Sequence, residues 1–180
     1  IAAYLEFKNI FVNIIDCCVE GYDQEVTDKE FCTYGLNNES FKEKLNNLNY
    51  EPDIVGLSLL FSTDLDNLIN ISSIVKTTFK NCEIVVGGLH ATIYPRDIFE
   101  QDLILNKKRT IDWIIRGEGE LRLFEFITDL QNDCINKNMN GLVGFLNNKF
   151  FCNYQKETIK DLDLLPFPAY HLLPTEKYFK

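Results

Sequence analysis

The chain has 180 residues, 46% of them hydrophobic and 13% aromatic, enough to bury the core of one domain with a tail. A formal charge of −9 and a pI near 4.7 exclude a nucleic-acid surface, which needs clustered Lys and Arg; the one dense basic run, Lys107-Lys108-Arg109, reads as a solvated loop. No apolar stretch is long enough to span a bilayer and none is flanked like a signal peptide, while six cysteines without a Cys-x-x-Cys pair spell neither a zinc nor an iron–sulfur site, so the expectation is a cytoplasmic protein with reduced thiols.

In chain order, Ile1–Lys8 puts Ala2 and Leu5 on one helical stripe, and Phe11–Asp16 reads as a strand. In an alternating α/β chain a helix at this place follows an earlier strand; with the common order 2-1-3-4-5, the first and central strand is expected to lie outside the 180 residues. Glu20–Asn38 is polar and turn-rich and reads as a connector, after which Asn38 or Ser40 caps a surface helix through Leu48. Asp53–Leu60 is an apolar strand that runs into Phe61-Ser62-Thr63-Asp64. A helix over Asp64–Phe79 then turns Leu65, Leu68, Ile69, Ile71 or Ser72, and Val75 inward. Cys82–Gly87 has the β-branched pattern of a strand buried on both faces, and it breaks at Gly87-Gly88. Pro95 suits the first turn of a short helix through about Gln101.

Thr110–Arg116 is a third strand, ending in Gly117-Glu118-Gly119-Glu120, and Glu118–Leu130 is the last long helix, with Leu121, Phe124, Ile127 and Leu130 in register. From Asn136 the pattern changes: Gly141–Asn153 is two short apolar runs around Asn147-Asn148, a hairpin signature. Asp161–Tyr170 is too proline-broken for a helix and too apolar for a free linker, so it is expected to pack on something, such as a following domain. The predicted fold is a Rossmann-like, flavodoxin-type parallel sheet flanked by helices, with a C-terminal β-hairpin. The expected divisions are 1–135 for the α/β domain, 136–160 for the hairpin appendage and 161–180 for a linker.

Three strands thus end in small, polar or glycine-rich turns, each before a helix, and such turns lie side by side along one edge of a parallel sheet, where ligands bind. Gly88, without a Cβ, permits positive φ or the close approach of another group, such as a ligand, and the plainer reading is a tight turn alone. The predicted edge gathers Ser58, Ser62, Thr63, Thr92, His90, Glu118 and Glu120. No nucleophile there has a legible base and the chain has two histidines, so neither a complete catalytic site nor a metal site is expected within these residues. Backbone amides and hydroxyls suit a large polar ligand that is held and not transformed.

Ser58-x-Leu60, then Val85-Val86-Gly87-Gly88-Leu89-His90-Ala91-Thr92, then Arg116-Gly117-Glu118-Gly119-Glu120, and the closing Leu162-Asp163-Leu164-Leu165-Pro166-x-Pro168-Ala169-Tyr170 stand in a specific order and spacing. With them the sequence resembles the amino-terminal cobalamin-binding domain of cobalamin-dependent radical S-adenosylmethionine enzymes. That resemblance implies strand-end loops around the lower face and nucleotide tail of cobalamin, with Ser58, Leu60, Phe61, Ser62, Thr63, Gly87, Gly88, His90, Ala91 and Thr92 on the tail or corrin edge and Gly117, Glu118 and Gly119 closing the third side. It also implies a parent enzyme, of methyltransferase or cyclase type, whose own C-terminal radical S-adenosylmethionine domain carries an iron–sulfur cluster and S-adenosylmethionine. The Asp-x-His-x-x-Gly motif that ligates cobalt in the wider cobalamin-binding group and the Cys-x-x-x-Cys-x-x-Cys cluster motif are both absent from the sequence.

Each residue keeps a plainer reading. His90 is equally a helix-start histidine bonded to local backbone, and it is not assigned to cobalt. Glu118 and Glu120 at a helix start favour the dipole without a function, Trp113 fits the core, and Ser58 at a strand end satisfies a backbone group. For the whole chain the alternative is the same fold without cofactor, serving as a docking or substrate-recognition domain; a receiver-like domain is disfavoured because no acidic cluster with a later lysine is found.

Overall fold

Helix α1 (Ala2–Phe7) buries Leu5 and stops at Asn9, which adopts a left-handed φ of 59°. The computed structural model describes residues 1–28, 31–154 and 158–179, apart from the side chains of residues 26, 28 and 31–33. Phe11–Asp16, expected as a strand, joins no ladder: Phe11 is exposed and Asp16 instead caps α2 (Cys17–Glu20), its Oδ1 accepting from the Val19 amide at 3.0 Å. The stretch expected as a mere connector forms an antiparallel pair, β1 (Glu25–Asp28) with β2 (Phe31–Tyr34). Val26, Thr27, Phe31, Thr33 and Tyr34 carry the β preference that the surrounding polar residues obscure. Helix α3 (Asn38–Asn46) is capped one residue earlier than expected, by Asn37 Oδ1 on the Ser40 amide at 2.9 Å, and buries Phe41 and Leu45.

Burial pushes the Cys17 thiol up to about 11, whereas its neighbour Cys18 is exposed. Only the thiolate is a nucleophile, so alkylation with iodoacetamide at pH 8 is expected to label Cys18 and the exposed Cys134 and to spare Cys17. Peptide mass mapping reads the outcome; modification of Cys17 at a rate equal to Cys18 would contradict the burial described.

The main sheet grows from β3 (Ile54–Ser58), β4 (Glu83–Gly87) and β5 (Trp113–Ile115), parallel and adjacent in that order, and continues antiparallel through β6 (Leu142–Leu146) and β7 (Lys149–Cys152). Helices α4 (Leu65–Thr78), α5 (Leu89–Ile93), α6 (Pro95–Asn106) and α7 (Gly119–Gln131) fill the connections. β4 is apolar because it is central: Ile84, Val85 and Val86 are all buried. α4 turns Leu68, Ile69, Ser72 and Val75 inward as its 3.6-residue period predicts. On α7 the deepest residue is Phe126, packed with Val85, Ile115, Met139 and Leu142, rather than the Phe124 of the expected stripe. Pro95 opens α6, which runs five residues past the expected Gln101 to Asn106 and stops at Lys107 in the left-handed region (φ 58°). Asn147 and Asn148 both take positive φ, 47° and 61°, the backbone of a two-residue turn that matches strand twist.

Glu83 N donates to Asp53 O and Leu59 N to Gly87 O, both at 2.8 Å, so the backbone groups of alternate residues face β4. Those of Ile54, Gly56 and Ser58 point away from β4, along an edge unpaired among the described residues. The chain divides into two compact units: Tyr50–Leu162 together with Ile1, and Ala2–Asn49 together with Asp163–Lys180.

One buried carboxylate anchors the approach to β5. Asp102 on α6 is fully buried; its Oδ2 accepts from the Thr110 and Ile111 amides (2.7 and 3.0 Å), and its Oδ1 accepts from Thr110 Oγ1 (2.7 Å) and Asn106 Nδ2 (2.9 Å). Ser72 of α4 lies 2.5 Å from the same Thr110 hydroxyl.

Candidate functional site

At the carboxyl ends of β3, β4 and β5 the turns are tied to one another by backbone bonds. After Ser58 the chain buries Leu59, whose amide donates to Gly87 O at 2.8 Å and whose carbonyl accepts from His90 N at 3.2 Å. Gly88 has φ 105°, and a Cβ built on it would lie 2.4 Å from Leu59 O and 2.8 Å from Leu59 C. The close approach that this glycine permits is therefore protein on protein, the turn after β3 against the turn after β4. Gly87 is different: its Cβ would meet only Ile115 O, at an ordinary 3.7 Å.

The third turn joins through Thr92. Its hydroxyl donates to Gly88 O at 2.9 Å and accepts from the Gly117 amide at 2.8 Å, while its carbonyl accepts from Arg116 Nε at 2.8 Å. Arg116 also donates to Asn153 O at 3.3 Å and stands over the Tyr154 ring at 5.7 Å, which brings in the chain after β7. Gly117 has φ 76°. Glu118 is spoken for: its Oε2 accepts from the Ile159 amide at 2.5 Å.

His90 lies beneath this surface, 7% exposed, with Nδ1 2.8 Å from Ser62 Oγ and with Nε2 buried and unpartnered. Ala91 is buried beside it in sequence, and Ser58, Ser62 and Thr63 are exposed. Large apolar side chains stand out in the same turns: Leu60, Phe61, Leu89 and Ile93 are each more than half exposed, as is Tyr154.

Of the residues singled out from the sequence, Ser62, Gly87, Gly88, His90, Thr92 and Gly117 are joined by the bonds just described, and Leu60, Phe61 and Thr63 sit exposed in the turn after β3. Gly119 is the first residue of α7. Sequence reasoning does not reach Leu59, whose role lies in a carbonyl that no side-chain pattern reveals, or the part that Arg116 plays in bonding to Thr92 and Asn153. Leu89, Ile93 and Tyr154 were passed over as well.

The arrangement is an open shelf. Two cavities adjoin or lie apart from it: one of about 60 Å³ beside the third turn, lined by Glu118, Leu121, Arg122, Thr158 and Ile159, and a groove of about 400 Å³ at the amino end of β5 lined by residues that include Trp113, Leu130 and Phe151. Among the described residues no group of three or more His, Cys, Asp or Glu is placed to hold a metal ion, and no helix is long and apolar enough to cross a membrane. A shelf of exposed hydroxyls at Ser58, Ser62 and Thr63, rimmed by exposed apolar side chains, suits a broad ligand that is part apolar face and part polar fringe.

Residues 1–127 match the profile of the B12 binding domain. The chain belongs to the B12 binding domain family. It is 33% identical over 129 residues to an uncharacterized methyltransferase, PH0819, of Pyrococcus horikoshii, covering 72% of this chain and 27% of that protein. It is 26% identical to the cytidylyl-2-hydroxyethylphosphonate methyltransferase of Streptomyces wedmorensis, over 100% of this chain and 36% of that one. The chain therefore spans about a third or less of the length of these two curated relatives. Among solved structures, the cobalamin-dependent S-adenosylmethionine radical enzyme OxsB, with aqua-cobalamin and S-adenosylmethionine bound, superposes with a TM-score of 0.57 at 23% identity, over 73% of this chain and 17% of OxsB. That likeness is one of fold, and it agrees with the mixed α/β sheet flanked by helices.

Proposed function

We propose that the chain holds cobalamin on the strand-end shelf as the cofactor module of a radical S-adenosylmethionine enzyme of methyltransferase or cyclase type. The observation that carries this reading is the shelf itself: three turns fused by hydrogen bonds, with hydroxyls at Ser58, Ser62 and Thr63 and exposed apolar side chains at Leu60, Phe61, Leu89 and Ile93. A corrin ring offers an apolar face and a fringe of amides, so both kinds of group find a partner. Two curated relatives named as methyltransferases support the parent reaction.

On this reading cobalamin supplies the reactive cobalt centre when bound, and this chain's residues bind and orient it. Ser58, Leu60, Phe61, Ser62 and Thr63 take one side, Gly87, Gly88, His90, Ala91 and Thr92 shape the floor, and Gly117 to Gly119 close the third side. Glu118 serves by fixing residue 159. The iron–sulfur cluster and S-adenosylmethionine belong to a following domain of a cytoplasmic parent, reached through 161–180 after the α/β portion 1–135 and the hairpin portion 136–160.

The test is uptake of aqua-cobalamin by the full-length protein, followed by visible absorbance after gel filtration. Co-elution near one equivalent is expected. Absence of the corrinoid spectrum from the protein peak would reject the reading in favour of a cofactor-free docking domain.

A further inference from the structure

His90 poses a bonding problem. The ring is 7% exposed, Nδ1 lies 2.8 Å from Ser62 Oγ, and Nε2 is buried with no partner. A neutral imidazole carries one hydrogen. Placed on Nε2 it would be a buried donor with nothing to accept it, whereas placed on Nδ1 it is donated to Ser62 and leaves Nε2 a bare acceptor. Orphaned buried N–H groups are rarer than under-satisfied acceptors, and a buried imidazolium would add an unpaired charge to the orphaned donor. The hydrogen therefore belongs on Nδ1.

The consequence falls on Ser62. Its oxygen accepts from His90, so its own hydrogen is left to donate, and Ser62 is exposed on the shelf with no second side-chain partner among the described residues. Asp64 and Asp66 stand in the turns that follow and already occupy the positive end of the α4 dipole. Their charge disfavours an anionic oxygen such as a phosphodiester and leaves a neutral carbonyl oxygen as the acceptor.

Resting on the cofactor reading above, we propose that His90 is a positioning residue that fixes the Ser62 hydroxyl as a hydrogen-bond donor to a neutral amide carbonyl on the fringe of the bound corrinoid. Nitrogen-15 NMR of the ligand-free, full-length protein is expected to show His90 as the Nδ1–H tautomer; the Nε2–H tautomer would overturn the proposal without any variant being made. In binding measurements Ser62→Ala and His90→Phe are each expected to weaken corrinoid binding about three- to tenfold, the worth of one hydrogen bond, and the double variant to be no weaker than either single one.

Cobinamide separates the ligand groups, because it keeps the amides and lacks the nucleotide with its phosphate. Equal losses for cobalamin and cobinamide are expected. A loss confined to cobalamin, or losses that add in the double variant, would overturn the assignment. Should the parent protein take up neither corrinoid, the cofactor reading falls and this inference with it. Normal uptake that Ser62→Ala leaves unchanged removes the positioning role alone.

Discussion

Asp102→Ala is expected to destabilise the protein by about 3–5 kcal/mol and to lower its melting temperature by about 10 °C. The carboxylate is fully buried and accepts four hydrogen bonds, two of them from the Thr110 and Ile111 amides that lead into β5. Removing it orphans those amides in a place that water does not reach, and each such group costs about 1–3 kcal/mol. Asp102→Asn is not a mild replacement. One of its two polar atoms becomes an N–H₂, and whichever way the amide is turned it faces a donor, either the paired backbone amides or the side chain of Asn106. Urea and thermal unfolding of both variants check this, and a loss below about 1 kcal/mol for Asp102→Ala would show that Thr110, Asn106 and Ser72 satisfy the loop without the carboxylate.

Gly88→Val is expected to cost about 3 kcal/mol or more and to abolish cobalamin uptake together with it. Positive φ strains a β-branched residue by about 1–3 kcal/mol, and the first side-chain atom would in addition stand 2.4 Å from Leu59 O, a backbone atom that cannot swing aside. The two turns would have to separate, breaking the bonds of Leu59 to Gly87 and to His90. Gly87→Ala makes the contrast, because its Cβ meets only Ile115 O at 3.7 Å and the melting temperature is expected to stay within about 3 °C, under one kcal/mol. Retained stability in Gly88→Val with uptake alone lost would instead put the ligand, and not Leu59, against that glycine.

The parallel strands were legible because β3, β4 and β5 are apolar runs of strand length, each followed by a turn signal, and Asn147-Asn148 marked the hairpin for a stated reason of backbone handedness. Phe11–Asp16 misled because an apolar run says only that burial is favourable; it names no partner, and here Asp16 spends the end of the run on a helix cap. The pair β1 and β2 was hidden by polar neighbours that the hydrophobic pattern alone reads as loop. In the site, side chains and glycines announced themselves, while the Leu59 carbonyl that joins two turns could not, since every residue has one. At Gly88 the missing Cβ announces that some group can come close, and here that group is the Leu59 backbone. What approaches it is a matter of tertiary packing, and the sequence does not carry that.

The bonds that fuse the three turns have one more effect, on the thermodynamics of capture. Loops that must be ordered by their ligand subtract that ordering from affinity, at roughly 0.5–1.5 kcal/mol for each mobile side chain fixed. Here Leu59, Gly87, Gly88, Thr92 and Gly117 are already held by one another. On the proposed cofactor reading, a broad, rigid ligand would meet a broad, rigid counterpart, with little disorder left in the floor to be lost on association. What remains adjustable is the fringe of exposed side chains at Leu60, Phe61, Leu89, Ile93 and Tyr154, so the protein's share of a heat-capacity change on binding would come from those side chains and not from the glycine turns below them.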